Sequence, residues 1–106
     1  MKFLKTTHLS EILETSKKET VVIYIHSSSC GISDDIKSEI ERAVEKQKIT
    51  SPVYIVVVQD MPVLSAKIEE VLMVKHESPQ VICVRNNISI YDASHRNINV
   101  EDIAKI

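Results

Sequence analysis

At 106 residues and a formal net charge of −2, the chain is long enough to bury a core as one domain over 1–106 without disulfide staples. It lacks the basic footprint of a nucleic-acid or anionic-membrane binder. With no tryptophan and one phenylalanine it has little to stack on bases, and its apolar runs are too short to span a bilayer. Two cysteines and a charged N-terminus without the pattern of a signal peptide predict a reducing, cytoplasmic setting in which a thiol is free to react.

Thr7 and Ser10 are the candidate N-caps of a short amphipathic helix in which Leu9, Ile12 and Leu13 share a face and Ser16-Lys17-Lys18-Glu19 ends the pattern. Residues 21–25, Val-Val-Ile-Tyr-Ile, are continuously apolar and mostly β-branched, the composition of a strand buried on both faces and central in a sheet. After a short serine turn, Ile32, Ile36, Ile40, Ala43 and Val44 recur at helical spacing, with Asp34, Lys37, Glu41 and Lys46 on the other faces. Ser51-Pro52 closes that segment, and residues 53–58 form a second apolar run. Strand, helix, strand at these lengths predicts a right-handed crossover and two parallel strands. Asp60 is read as the cap of the next helix, with Pro62 in its first turn, Leu64, Ile68, Val71 and Leu72 on its buried side and an end near Lys75. Residues 81–85, the turn Asn86-Asn87 and residues 88–91 read as an antiparallel hairpin. A polar stretch over 92–97 then leads to a last short helix from about Asn99, with Val100, Ile103 and Ala104 inward.

The chemistry gathers at the first turn. Cys30 follows the central strand and stands where a helix opens, and the free N–H groups and positive dipole end of a helix stabilise a thiolate, lowering a cysteine pKa from about 8.5 to between about 3.5 and 7.5. Ser33 lies one helical turn on, where its hydroxyl can donate to the sulfur, in the place where a C-x-x-C pair has its second thiol. Gly31 is the only glycine in the chain. Either its missing side chain opens the sulfur to a large partner or it eases the turn, and both readings stand. His26 has two readings as well, assistance to Cys30 or a polar strand end. Asp34 and Asp35 favour the helix while opposing a thiolate, so the pKa of Cys30 is a contest between dipole and charge.

The element order, with a cysteine after the first strand and a proline before the third, resembles the thioredoxin fold. This is an α/β architecture with a four-stranded mixed sheet flanked by helices, here with an extra N-terminal helix. That resemblance implies a cis Ser78-Pro79 bond, facing the reactive sulfur, whose preceding backbone pairs with substrate. Within the fold, Ser29-Cys30-Gly31-Ile32-Ser33, His76-Glu77-Ser78-Pro79-Gln80 and Ala93-Ser94-His95 followed by Ile98 resemble the monothiol, YtxJ-like bacilliredoxins. That family's usual motif is Thr-Cys-Pro-Ile-Ser. Ser29 and Gly31 depart from it, and glycine leaves free the backbone that proline would hold beside the thiol.

The resemblance implies a cytoplasmic thiol–disulfide oxidoreductase that removes bacillithiol from protein mixed disulfides, and the lack of an obvious exposed apolar stripe predicts a monomer. Cys30 and Ser33 are the catalytic residues, and Gly31, Ile32, Ser78 and Pro79 the substrate-binding ones. His26 and His95 are candidate assistants, and for His76 and His95 a role towards the small thiol stands beside a cap or turn role. No bound cofactor or metal is implied: bacillithiol is the co-substrate, and the partners are bacillithiolated clients and a recycling reductase or thiol. Cys83 lies four residues beyond Pro79, roughly 13 Å along a strand, too far to pair with a thiol facing that proline, and its apolar run marks it as core. Cys30 with His26 and His95 fits no zinc spacing. Two other function classes stay open. One is an iron–sulfur carrier similar to monothiol glutaredoxins, whose Cys-Gly-Phe-Ser differs from Cys30-Gly31-Ile32-Ser33 at one position but which also need a Gly-Gly pair that this chain lacks. The other is a non-enzymatic binding module.

Overall fold

The computed structural model describes residues 3–29 and 31–106. In chain order the elements are helix α1 (Leu9–Ser16), strand β1 (Val21–His26), helix α2 (Gly31–Glu45), strand β2 (Val53–Val57) and helix α3 (Pro62–Leu72). Strands β3 (Gln80–Arg85) and β4 (Ile88–Ser94), a 3-10 turn (His95–Asn97) and helix α4 (Val100–Ala104) follow. Among the described residues the strands form one four-stranded sheet in the order β2-β1-β3-β4. β1 runs parallel to β2 and antiparallel to β3, which is antiparallel to β4.

The unbroken apolar run of β1 is explained by its place. It has a hydrogen-bonded strand on each side, and every one of its residues is buried. Because successive side chains alternate faces, Val22 and Tyr24 enter one core layer with Ile36, Ile40 and Val44 of α2 and Ile103 of α4. Val21, Ile23 and Ile25 enter the other, with Ile12 of α1 and Leu64 and Ile68 of α3. Burial of each such side chain is worth about 1.5–3 kcal/mol, so a polar residue at any of these positions would be costly.

Several boundaries differ from expectation. Neither Thr7 nor Ser10 caps α1. His8 is its N-cap without a side-chain cap bond, and Thr6 Oγ1 instead accepts from the His8 N–H. Met61, not Asp60, is the N-cap of α3, because Pro62 takes the first helical position, where its missing N–H costs nothing. That helix ends at Leu72, closed by Met73 in the left-handed region with φ 55°. β2 ends at Val57, one residue early. The polar stretch after Tyr91 is not all loop. β4 runs on to Ser94, pairing Asp92, Ala93 and Ser94 with Ile82, Val81 and Gln80, and Ala93 packs on the core. Ile88 and Ile90 of this edge strand are exposed, an apolar pair that the sequence reading overlooked. Asn86 and Asn87 both have positive φ, 53° and 65°, as a two-residue hairpin turn of primed type requires. The turn is docked on α1 by bonds from the Asn86 N–H to Ser16 O (2.8 Å) and from the Asn87 N–H to Ser16 Oγ (3.1 Å).

Candidate active site

The carboxyl ends of β1 and β2 and the amino end of β3 meet at one edge of the sheet, with His26 paired to Val57 and Ile25 to Gln80. Residues 27–29 leave this edge and α2 begins at Gly31. Cys30, between them in sequence, lies outside the described residues. Gly31 has no positive φ, and a Cβ built on it meets nothing within 4 Å. The described surroundings would therefore accept a larger residue at this position.

The start of α2 is tied down from below. Ser33 is fully buried, and its Oγ accepts a bond from the Ser27 N–H at 3.3 Å. Tyr24, also fully buried, donates its hydroxyl proton to Ser33 O at 2.8 Å and stacks on Phe3 with ring centroids 6.0 Å apart. The Tyr24 oxygen also lies 2.9 Å from His26 Nδ1. A carbonyl can only accept, so the phenol proton goes to Ser33 and the His26 Nδ1–H donates to Tyr24, leaving Nε2 of the neutral ring as an acceptor. Nε2 lies 3.8 Å from Asp34 Oδ1. Burial is the main force lowering the His26 pKa. The Lys37 cation adds to it and the Asp34 carboxylate partly opposes it.

His26 is therefore neutral near pH 7, and the sign of its pH linkage follows. Below about 6.5, the ordinary histidine value, the unfolded chain binds a proton that the folded ring refuses, so stability falls as pH drops through that region and is untouched above it. The thermal midpoint of the wild type is expected to drop between pH 7.5 and 5.5 by more than that of His26→Gln. Equal drops in the two proteins would assign the effect to other groups.

A second tie comes from the residue after Val58. Gln59 Oε1 accepts from the Ser28 N–H at 3.1 Å, and its Nε2 donates to Ser27 Oγ at 3.0 Å and to Ser29 Oγ at 3.3 Å. The two serine hydroxyls are themselves 3.2 Å apart.

Across the edge, the Ser78-Pro79 bond is cis, with Pro79 buried and Ser78 half-buried. Gln80, almost wholly buried, holds this loop from within: its Oε1 accepts from the Glu77 N–H (3.3 Å) and its Nε2 donates to Lys75 O (2.9 Å). His95 borders the loop, its N–H donating to Pro79 O at 2.9 Å and its Nε2 lying 2.9 Å from Glu77 Oε2. That bond holds the Glu77 carboxyl below its ordinary pKa. His76 turns away to α3, with Nδ1 3.2 Å from Ser65 Oγ. The structure thus brings His95 to the proline loop and gives His76 a packing partner instead. Ile32 is half-buried against the α2 and α4 layer.

Cys83 lies in that same layer with no exposed surface, and burial pushes its thiol up to about 12. It is paired with Val22, three residues further along β3 from the Ile25–Gln80 pair at the edge. Among the described residues no group of three or more His, Cys, Asp or Glu is placed to hold a metal ion, and no helix is long and apolar enough to cross a membrane. Gln59 and Tyr24 are the contributors that sequence reasoning missed. A signal for Gln59 did exist, since a polar residue directly after the strand parallel to β1 must emerge beside the turn that follows β1.

A family model described as monothiol bacilliredoxin BrxC matches residues 2–103. Among solved structures, one described as having a thioredoxin fold superposes with a TM-score of 0.82 at 25% identity, covering 96% of this chain and 90% of that one. A reduced thioredoxin pre-protein of Schistosoma mansoni superposes with a TM-score of 0.74 at 20% identity, covering 95% and 90% of the two chains. The thioredoxin of Fasciola hepatica gives 0.73 at 18% identity, covering 99% and 93%.

Proposed function

Because this chain belongs to the monothiol bacilliredoxin family, we propose that Cys30 is its exchange thiol and that protein–bacillithiol mixed disulfides are its substrates. Membership makes the protein a thiol–disulfide oxidoreductase on the thioredoxin fold. The observation that carries the assignment to Cys30 is the state of the other thiol. The chain has two cysteines, and Cys83 is sealed in the core with its pKa near 12, far from the thiolate that exchange requires.

In the reaction, the Cys30 thiolate attacks the bacillithiol sulfur of the mixed disulfide. The bond between client and bacillithiol breaks, its electron pair leaves on the client sulfur, and that sulfur takes up a proton to become a thiol. A new disulfide joins Cys30 to bacillithiol. A second thiol, free bacillithiol or that of a recycling reductase, then attacks this disulfide, is oxidised in turn and restores Cys30. Gly31 and Ile32 border the sulfur in sequence, and the backbone of Ser78 before Pro79 offers pairing groups to the client. Ser33 supports the turn from beneath, the neutral His26 ring offers an acceptor nitrogen, and His95 lines the loop opposite. An exchange thiol that works from the reduced state suits the cytoplasm.

The test is mass spectrometry of the reduced protein mixed with a model client carrying a bacillithiol cap or, separately, a glutathione cap. A bacillithiol adduct is expected on the Cys30 peptide, with Cys83 bare and the glutathione cap transferred more slowly. If neither cap moves, or the adduct maps to Cys83, the assignment fails.

A further inference from the structure

We infer that Gln59 is a positioning residue for the exchange thiol, a neutral clamp that locks the turn leading into Cys30 onto the end of β2. The inference rests on the assignment of Cys30 above. Ser28 and Ser29 are exposed, so no packed core covers this part of the turn and hydrogen bonds must hold its shape. One amide supplies three of them, taking the Ser28 N–H and giving one N–H each to Ser27 Oγ and Ser29 Oγ. Its orientation is unambiguous, because a backbone N–H can only donate and must therefore face Oε1. The clamp is itself anchored. The Val58 N–H donates to His26 O at 3.0 Å, and the Asp60 and Met61 N–H groups both donate to Val57 O, at 3.0 and 2.9 Å.

The chemistry explains the choice of side chain. The amide holds the N–H with its oxygen and the two hydroxyls with its nitrogen, and it carries no charge. Glutamate could still accept from the Ser28 N–H and from the two hydroxyls, but it would bring a negative charge beside a developing thiolate and raise its pKa. Leucine has nearly the same shape and makes none of the bonds. Glutamine joins the grip to neutrality, so the turn before α2 is held without adding a charge that would oppose a thiolate.

The experiment compares wild type, Gln59→Leu and Gln59→Glu by the pH dependence of two rates, client decapping and alkylation of Cys30 by iodoacetamide. Far-UV circular dichroism and the thermal midpoint serve as fold controls. In Gln59→Leu the high-pH plateau of decapping is expected to fall about 10-fold and the alkylation midpoint to rise by about half a unit or more, with the fold unchanged. In Gln59→Glu the plateau is expected to stay within about threefold of wild type while the midpoint rises, since the grip is kept and a charge is added. A Gln59→Leu protein with wild-type plateau and midpoint overturns the inference. If wild type itself does not decap, it is the assignment of function that fails, and the alkylation midpoints still decide whether Gln59 positions the thiol.

Discussion

Cys30→Ser is expected to lose client decapping to the uncatalysed background, at least about a thousandfold, while keeping the fold and thermal midpoint of the wild type. A hydroxyl at this position has no accessible anion near neutral pH and cannot replace the thiolate that opens a disulfide. The paired variant is Cys83→Ala. It removes a sulfur from a sealed site with no exposed surface, so it should cost about 1 kcal/mol of stability and leave decapping nearly intact. The contrast is measured by following release of the client thiol under single-turnover conditions, alongside thermal unfolding. Retained decapping in Cys30→Ser, or its loss in Cys83→Ala with the fold intact, would reverse the roles given to the two cysteines.

The second large effect is expected on stability. Tyr24→Phe removes one oxygen that, among the described residues, serves two buried groups, the Ser33 carbonyl at 2.8 Å and the His26 ring nitrogen at 2.9 Å. Each polar group left without its partner in the core costs about 1–3 kcal/mol, so a total of about 2–6 kcal/mol is expected, a fall of roughly 10–30 °C in thermal midpoint for a domain of this size. The ring and its stacking on Phe3 are kept, which separates the hydroxyl from the aromatic packing. Decapping should weaken too, because Ser33, which holds the Ser27 N–H, loses its support. A midpoint within about 2 °C of wild type would mean that neither bond matters to the fold.

What the sequence made legible follows from how local each cause is. The doubly buried strand β1, the apolar face of α2 and the Asn86-Asn87 turn are written in contiguous residues whose composition or spacing has few structural solutions. The helix caps were misread because two signals compete over a few residues. Pro62 at the first helical position requires the cap to be Met61, outweighing the better intrinsic cap Asp60 next to it. Residues 92–94 read as a loop because they are mostly polar. Their strand character comes from backbone pairing with residues 80–82, and an edge strand can carry an exposed Asp92 beside an inward Ala93. The turn around Cys30 was visible as a helix opening, and Ser33 as its neighbour. The hold that Gln59 exerts spans about thirty residues of sequence; the strand–helix–strand pattern placed β1 and β2 side by side, but not which side chain would reach across.

The position of β1 has a consequence for how such a protein meets many partners. A strand bonded on both sides and buried along its whole length is expected to exchange its amide hydrogens only when the molecule unfolds globally. Residues 27–29, which lead to the proposed exchange thiol, thus hang from the segment expected to open last. Adaptation to clients of different shape then falls to the clients. A capped cysteine on a loop or a frayed end can swing its disulfide into line with an attacking thiol, whereas one set in a stiff sheet must wait for its own protein to open. Decapping rates across a set of substrates are therefore expected to rank with the local opening equilibria of the substrates.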